Sequence, residues 1–313
     1  KVKRQLPDTI YNFQFIIDAF ASKETKPKDP ADTSATPISL GEIDLKKIRL
    51  VYKDDVTGND VNAYVSAFNT NITTFNLDKM AFKVPSVLLD GFTATISQGK
   101  PLVTPEPEAK DLQEASDPTS LQLDVGKIDL KKISLNYSNE ISALFARLNL
   151  SELSIQPKIT DLTNRIIDID QVRLAGTTAA IRFGKKPEAQ VVKKEAQQEV
   201  ESRAEAGWRL RVEALQLDNN HFAFDDDNAT RVKSGMDYMH LKADSVTLHL
   251  NNFTFAGDTI AGNITKAHLQ EQSGFVLQQL QTNFLYSSNQ AYLKNLLLKT
   301  PGTELKHQAA LSY

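Results

Sequence analysis

One twelve-residue phrase occurs twice in this chain. Gly41 to Tyr52 reads GEIDLKKIRLVY and Gly126 to Tyr137 reads GKIDLKKISLNY, identical at nine of twelve positions and 85 residues apart. Shifting the whole sequence by that interval aligns far more than the phrase. Leu40, Ile43, Leu45, Ile48, Leu50 and Tyr52 fall on Val125, Ile128, Leu130, Ile133, Leu135 and Tyr137. Further on, Phe82 and Val84 fall on Ile167 and Ile169, Leu89 on Leu174, and Gly91 on Gly176. A diverged third copy follows another 86 or 87 residues later. Its Val212, Leu215, Leu217, Phe222 and Phe224 match the first half of the unit, and its Phe253, Phe255, Ile260 and Gly262 match the second. Apolar parity and a glycine held in register over three copies specify a repeat array.

Within each copy the pattern is that of strands: Ile48, Leu50 and Tyr52 share one parity, Arg49 and Lys53 the other. An amphipathic helix fits poorly, because apolar spacings of two, three, two and three scatter around a 3.6-residue turn. The rich supply of Ile, Val, Thr and Tyr also favours strands. The parity accounts for the paired lysines. Ile43 and Leu45 are odd-numbered, whereas Ile48, Leu50 and Tyr52 are even. An extra residue at Lys46–Lys47, as in a β-bulge, returns both sets to one face and bends the strand. The same switch falls at Lys131–Lys132 and Asp218–Asn219.

These signals divide the chain as follows. Residues 1–22 form the tail of a preceding repeat, and 23–37 a polar linker. Repeats occupy 38–97, 121–183 and 208–264, with a partial fourth over 265–313, where Phe275, Leu277, Leu280, Thr282 and Phe284 repeat the spacing. Between them lie a proline-rich, charged insertion at 98–120 and a charged insertion at 184–207. The latter holds helix formers and only a thin apolar face, Val191, Val192, Ala196 and Val200, so it reads as an exposed helix without a partner. Both insertions are expected on one edge of the array. The chain lacks an initial methionine and stops within an alternating run, which reads as a segment of a longer protein.

Little chemistry is written into the sequence. With 36 basic and 39 acidic side chains, no strong field favours nucleic acid. The absence of cysteine removes disulfides, thiolate zinc sites and thiol catalysis. His240 and His249, nine residues apart on one strand-like run, read as solvated strand positions. Asp225-Asp226-Asp227-Asn228 lacks the spacing of a calcium loop and reads as a turn, since Asp226 and Asp227 align with Asp54 and Asp55. No phosphate loop or nucleophile elbow occurs, so the chain is read as a non-enzyme without cofactor or metal.

The expected fold is therefore all-β: an elongated, curved, antiparallel or mixed sheet of about 85-residue repeats. A sheet with one apolar face must hide that face. With few helices to cover it, curling yields an open trough with an apolar interior. The expected lining is Ile43, Leu45, Ile48, Leu50, Tyr52, Phe82, Val84 and Leu89 in the first repeat. In the second it is Ile128, Leu130, Ile133, Leu135, Tyr137, Ile167, Ile169 and Leu174, and in the third Leu215, Leu217, Phe222, Phe224, Phe253, Phe255 and Ile260. The lining could pack solid, giving a rod, or hold acyl chains; the residues alone leave both open.

The recurring unit VGKIDLKKISLNYSN, with LNNFTFAGDTIAGNI, DYMHLKADSVTLHL and the closing GFVLQQLQTNFLYSSNQAYLKNLLLKTPGTEL, resembles the AsmA-like superfamily and, within it, the TamB proteins of the translocation and assembly module. The resemblance implies a β-taco groove in the periplasm, anchored to the inner membrane through a segment not present here. It further implies passage of phospholipid toward the outer membrane, with a BamA-like barrel as partner through regions outside this segment. The alternative within the same resemblance is a chaperone or scaffold that guides outer-membrane strands by pairing at sheet edges.

Overall fold

The computed structural model describes residues 2–4, 41–76, 80–100, 121–205 and 207–312. The readings made for residues 5–37, and for most of the first insertion, lie outside them. The described chain is all-β apart from one helix. In order, the elements are β1 (Val2–Arg4), β2 (Gly41–Asp54), β3 (Asn59–Ile72), β4 (Thr74–Asn76), β5 (Ala81–Gln98), β6 (Gln122–Asn139), β7 (Leu144–Asp161), β8 (Ile166–Ala175) and β9 (Thr178–Phe183). The helix α1 (Pro187–Glu205) follows. Then come β10 (Arg209–Asp226), β11 (His240–Ala256), β12 (Thr259–Glu271), β13 (Val276–Leu277), β14 (Gln279–Tyr286), β15 (Gln290–Thr300) and β16 (Thr303–Ser312).

All sixteen strands belong to one mixed sheet, ordered β1-β2-β3-β5-β6-β7-β8-β10-β11-β12-β14-β15-β16, with β4, β9 and β13 as side pairings. Inside a repeat, neighbours are antiparallel; between the first and second repeats, and between the second and third, they are parallel. β1 pairs with β2 in that same parallel manner, Val2 opposite Tyr52 as Ile96 is opposite Tyr137 and Ile181 opposite Phe224. This corrects the reading of the insertions as edge decorations. A parallel pair needs a crossover of a dozen or more residues to bring the chain back to its starting end. Residues 99–121 and 184–208 are those crossovers. β12 to β14 is antiparallel and short-linked, and no insertion occurs there.

The lysines sit where the parity placed a break, but the break is of another kind. Lys47, Lys132 and Asn219 have φ of 57°, 52° and 52°. No strand gains a residue on its neighbour at Lys47 or Lys132, because Lys46 pairs with Ala67 and Ile48 with Val65, and Lys131 with Glu152 and Ile133 with Leu150. From β2 to β10 every neighbouring strand skips a position at the same level, so the skipped residues line up as Lys47, Ser66, Gly91, Lys132, Ser151, Gly176 and Asn219. Against β11, Asp218 and Asn219 do oppose a single residue, the extra residue expected there. The result is a crease across the sheet, with a bulge only in the third copy, where β10 meets β11. Gly91 and Gly176 lie on it with φ of 75° and 60°. A Cβ on Gly91 would come within 2.8 Å of the Ser66 side chain, so the serines of β3 and β7 fit against glycine. Lysine in this region carries a penalty of about 1 kcal/mol, while asparagine, used by the third copy, tolerates it better.

Candidate functional site

Reading across the strands at one level shows what the crease achieves. On one side of it, Leu45, Phe68, Leu89, Leu130, Leu153, Leu174, Leu217, Leu248 and Ala267 are successive cross-strand partners from β2 to β12. Two residues away, Ile43, Thr70, Val87, Ile128, Ile155, Val172 and Leu215 make a parallel row. Beyond the crease run Ile48, Val65, Phe92, Ile133 and Leu150. Next come Leu50, Ala63, Ala94, Leu135, Leu148, Ala179 and Phe222. After them run Tyr52, Val61, Ile96, Tyr137, Ala146, Ile181 and Phe224.

The remaining expected lining residues fall into rows at the opposite end of the strands. Phe82 meets Leu123 and Val84 meets Val125. Ile169, Val212 and Phe253 are successive partners, as are Ile167, Leu210, Phe255 and Ile260. All the residues named from sequence thus join apolar rows. The middle strands β3, β7 and β11 supply partners that the sequence comparison passed over, such as Phe68, Leu150 and Leu248. Their alternation, Leu144-Ala146-Leu148-Leu150 then Leu153-Ile155, was the available signal.

No second sheet covers this face among the described residues. Ile133, Leu150, Val212 and Leu250 are nevertheless only 5–6% exposed. In a single-layer sheet that degree of burial requires the walls to close toward each other, which the crease provides. Closure is incomplete: Leu45, Ile48 and Leu50 are 43%, 43% and 46% exposed. A groove of about 660 Å³ opens on the same face between β12 and β16, lined by residues such as Leu280, Phe284, Leu296 and Leu305.

Polar side chains enter this face at defined places. Asn220 replaces the isoleucine of earlier copies and is fully buried. Its Oδ1 accepts the Thr177 backbone N–H at 2.9 Å and its Nδ2 donates to the Leu174 carbonyl at 3.2 Å. It thereby bridges the gap between β8 and β9. At the rim, Asp54, Asn139 and Asp226 are equivalent and each is at most 2% exposed. Each accepts backbone N–H groups from the turn that follows, including Val56, Ile141 and Asn228. The lining phenol Tyr137 donates to Gln98 Oε1 at 2.8 Å, and burial pushes its pKa up.

The acidic run spans the last two residues of β10 and the turn that follows, and its three carboxylates have basic partners: Asp225 pairs with Arg231 at 3.2 Å, Asp226 with Lys193 at 2.8 Å and Asp227 with Arg182 at 2.9 Å. Two expectations require correction. His240 is not solvated; it is 3% exposed and hydrogen-bonded through Nδ1 to Asp237 at 3.0 Å. His249 is half-buried, with Nε2 2.9 Å from Asp218. Helix α1 does have a partner. Val191 is exposed, but Ala189 is fully buried and, with Val192, packs among Ala143, Phe183 and Phe224. Lys193 lies 5.7 Å from the Phe224 ring centre on its way to Asp226.

Burial works against ionisation of Asp226, but hydrogen bonds from Lys193 and Asn228 outweigh it and hold the pKa at about 2. A carboxylate with a depressed pKa stabilises the fold above its unfolded value and loses that contribution as pH falls through the folded one. The fold is therefore expected to lose about 2 kcal/mol in all between about pH 4 and pH 2, and the share that comes from Lys193 weakens the attachment of α1. Lys193→Ala should move the Asp226 pKa back toward its ordinary value and flatten this acid dependence. Carbon-detected NMR titration of the Asp226 carboxyl checks it.

Among the described residues no helix is long and apolar enough to cross a membrane. Comparison with family models, with curated proteins and with solved structures returns no match.

Proposed function

We propose that this chain is a lipid-transfer segment whose creased apolar face holds the acyl chains of phospholipid. One observation carries the reading: apolar rows continue unbroken from repeat to repeat, yet their side chains leave the face partly open. In the second repeat Ile133 is buried while Leu130 and Leu135 are half-buried, and the most exposed apolar surface lies toward the ends of the described sheet, on Leu45, Ile48 and Leu50 of β2 and in the groove between β12 and β16. Apolar surface left accessible along a polar-backed sheet favours a ligand that removes hydrocarbon from water, at about 25 cal/mol per Å². The resemblance to AsmA-like proteins supports the same reading. It would place the chain in the periplasm, passing lipid between inner and outer membrane with a barrel partner engaged elsewhere.

The test uses a photo-crosslinking amino acid at Leu50 or Leu135, compared with Arg49 or Ser134 on the opposite face. Gently purified protein is expected to release phospholipid on solvent extraction and to form lipid adducts only from the first pair. Equal labelling from both faces, or no lipid at all, would overturn the proposal.

A further inference from the structure

The helix α1 connects two points that lie at opposite ends of the same strand. Phe183, just before it, is paired with Asp226 at the end of β10; Arg209, just after it, begins β10. Followed along its backbone, β10 measures about 56 Å. The helix of 19 residues supplies about 27 Å. Eight connecting steps could add at most about 28 Å if fully extended. On both sides of the helix the described ones are not fully extended: the Lys186 N–H bonds the Gly184 carbonyl, the Ala189 N–H bonds the Lys186 carbonyl, and Gly207 has φ of 78°. The chain between the two ends of β10 is thus shorter than β10 itself, so the strand is bent and α1 is the chord of the bend.

The contacts of α1 say which side the chord lies on. Ala189 and Val192 meet Phe183 and Phe224, and Lys193 bonds Asp226. Phe224 and Asp226 share the parity of Phe222 and belong to the apolar face. The main backbone contact of α1 is with β9, and its described contacts, those of Ala189, Val192 and Lys193, fasten the helix at its first turns.

We propose that α1 is a strap across the mouth of the trough. It sets the distance between the two rims at the junction of the second and third repeats, with Lys193–Asp226 as its latch. This does not rest on the lipid reading, because it concerns the geometry of the sheet with nothing bound.

The chain has no cysteine, so Arg147→Cys and Arg211→Cys, both exposed, give a unique spin-label pair on either side of the crease. Distances are read by double electron–electron resonance on protein stripped of lipid. Lys193→Ala is expected to broaden the distribution and shift it to longer distance. Replacing residues 187–205 by a flexible glycine-serine segment of equal length should do so more strongly, with circular dichroism confirming that the sheet persists. Lys194→Ala, at an exposed neighbouring position, should leave the distribution as in the unsubstituted pair. Unchanged distances in Lys193→Ala and in the folded strapless variant would overturn the proposal, as would an equal shift from Lys194→Ala.

Discussion

Leu135→Asp is expected to destabilise the second repeat by about 3 kcal/mol and to abolish lipid capture, while Ser134→Asp leaves both within experimental error. Leu135 stands in the row between Ala94, 5% exposed, and Leu148, two residues along its strand from Ile133, 6% exposed. A carboxylate there faces hydrocarbon on three sides with no donor in the row to satisfy it. Ser134 belongs to the other face, paired with Thr93 and Asn149, and its hydroxyl donates to Asn149 Oδ1 at 2.9 Å. Aspartate at that site loses one exposed hydrogen bond and remains in water. Urea denaturation measures the first effect and lipid extraction the second. If Ser134→Asp proved the damaging change, the assignment of faces would be inverted and the groove with it.

Gly126→Ala should be comparably severe for a different reason. A Cβ at Gly126 would stand 1.9 Å from the Pro85 carbonyl oxygen and 2.7 Å from its carbon. These are backbone atoms of β5, the strand that joins the first repeat to the second, so no rotamer change relieves the contact. The parallel pairing skips this level, resuming from Val84 opposite Val125 to Ser86 opposite Lys127. Alanine must therefore push the two repeats apart, at a cost of about 3 kcal/mol or more. Gly41 opens the other copy of the phrase with φ of 60°. Its alanine variant is expected to lose only the left-handed conformational preference, about 1 kcal/mol. Denaturation midpoints of the two variants, in one protein, separate a steric requirement from a conformational one.

The amino-acid sequence determined the strands, the repeat length and which residues share a face, because alternation is a local property that each strand carries alone. Parity even located the crease: Leu45 and Ile48 cannot both face inward unless the chain breaks step between them. What kind of break it is could not be local. A bulge and a crease look alike in one strand and differ only in whether Ser66, Gly91 and Ser151 on the neighbours break step at the same level. The parallel junctions were hidden for a similar reason, since strand direction depends on the path of the chain between strands and leaves no trace in their alternation. The same applies to the charged segment at 184–207. Val191, its most obvious apolar residue, points to water, while the small Ala189 makes the contact, because a crossover touches the sheet only where the chord meets the rim. Tertiary structure alone decided that point, and with it the position of Lys193 over Phe224 and against Asp226.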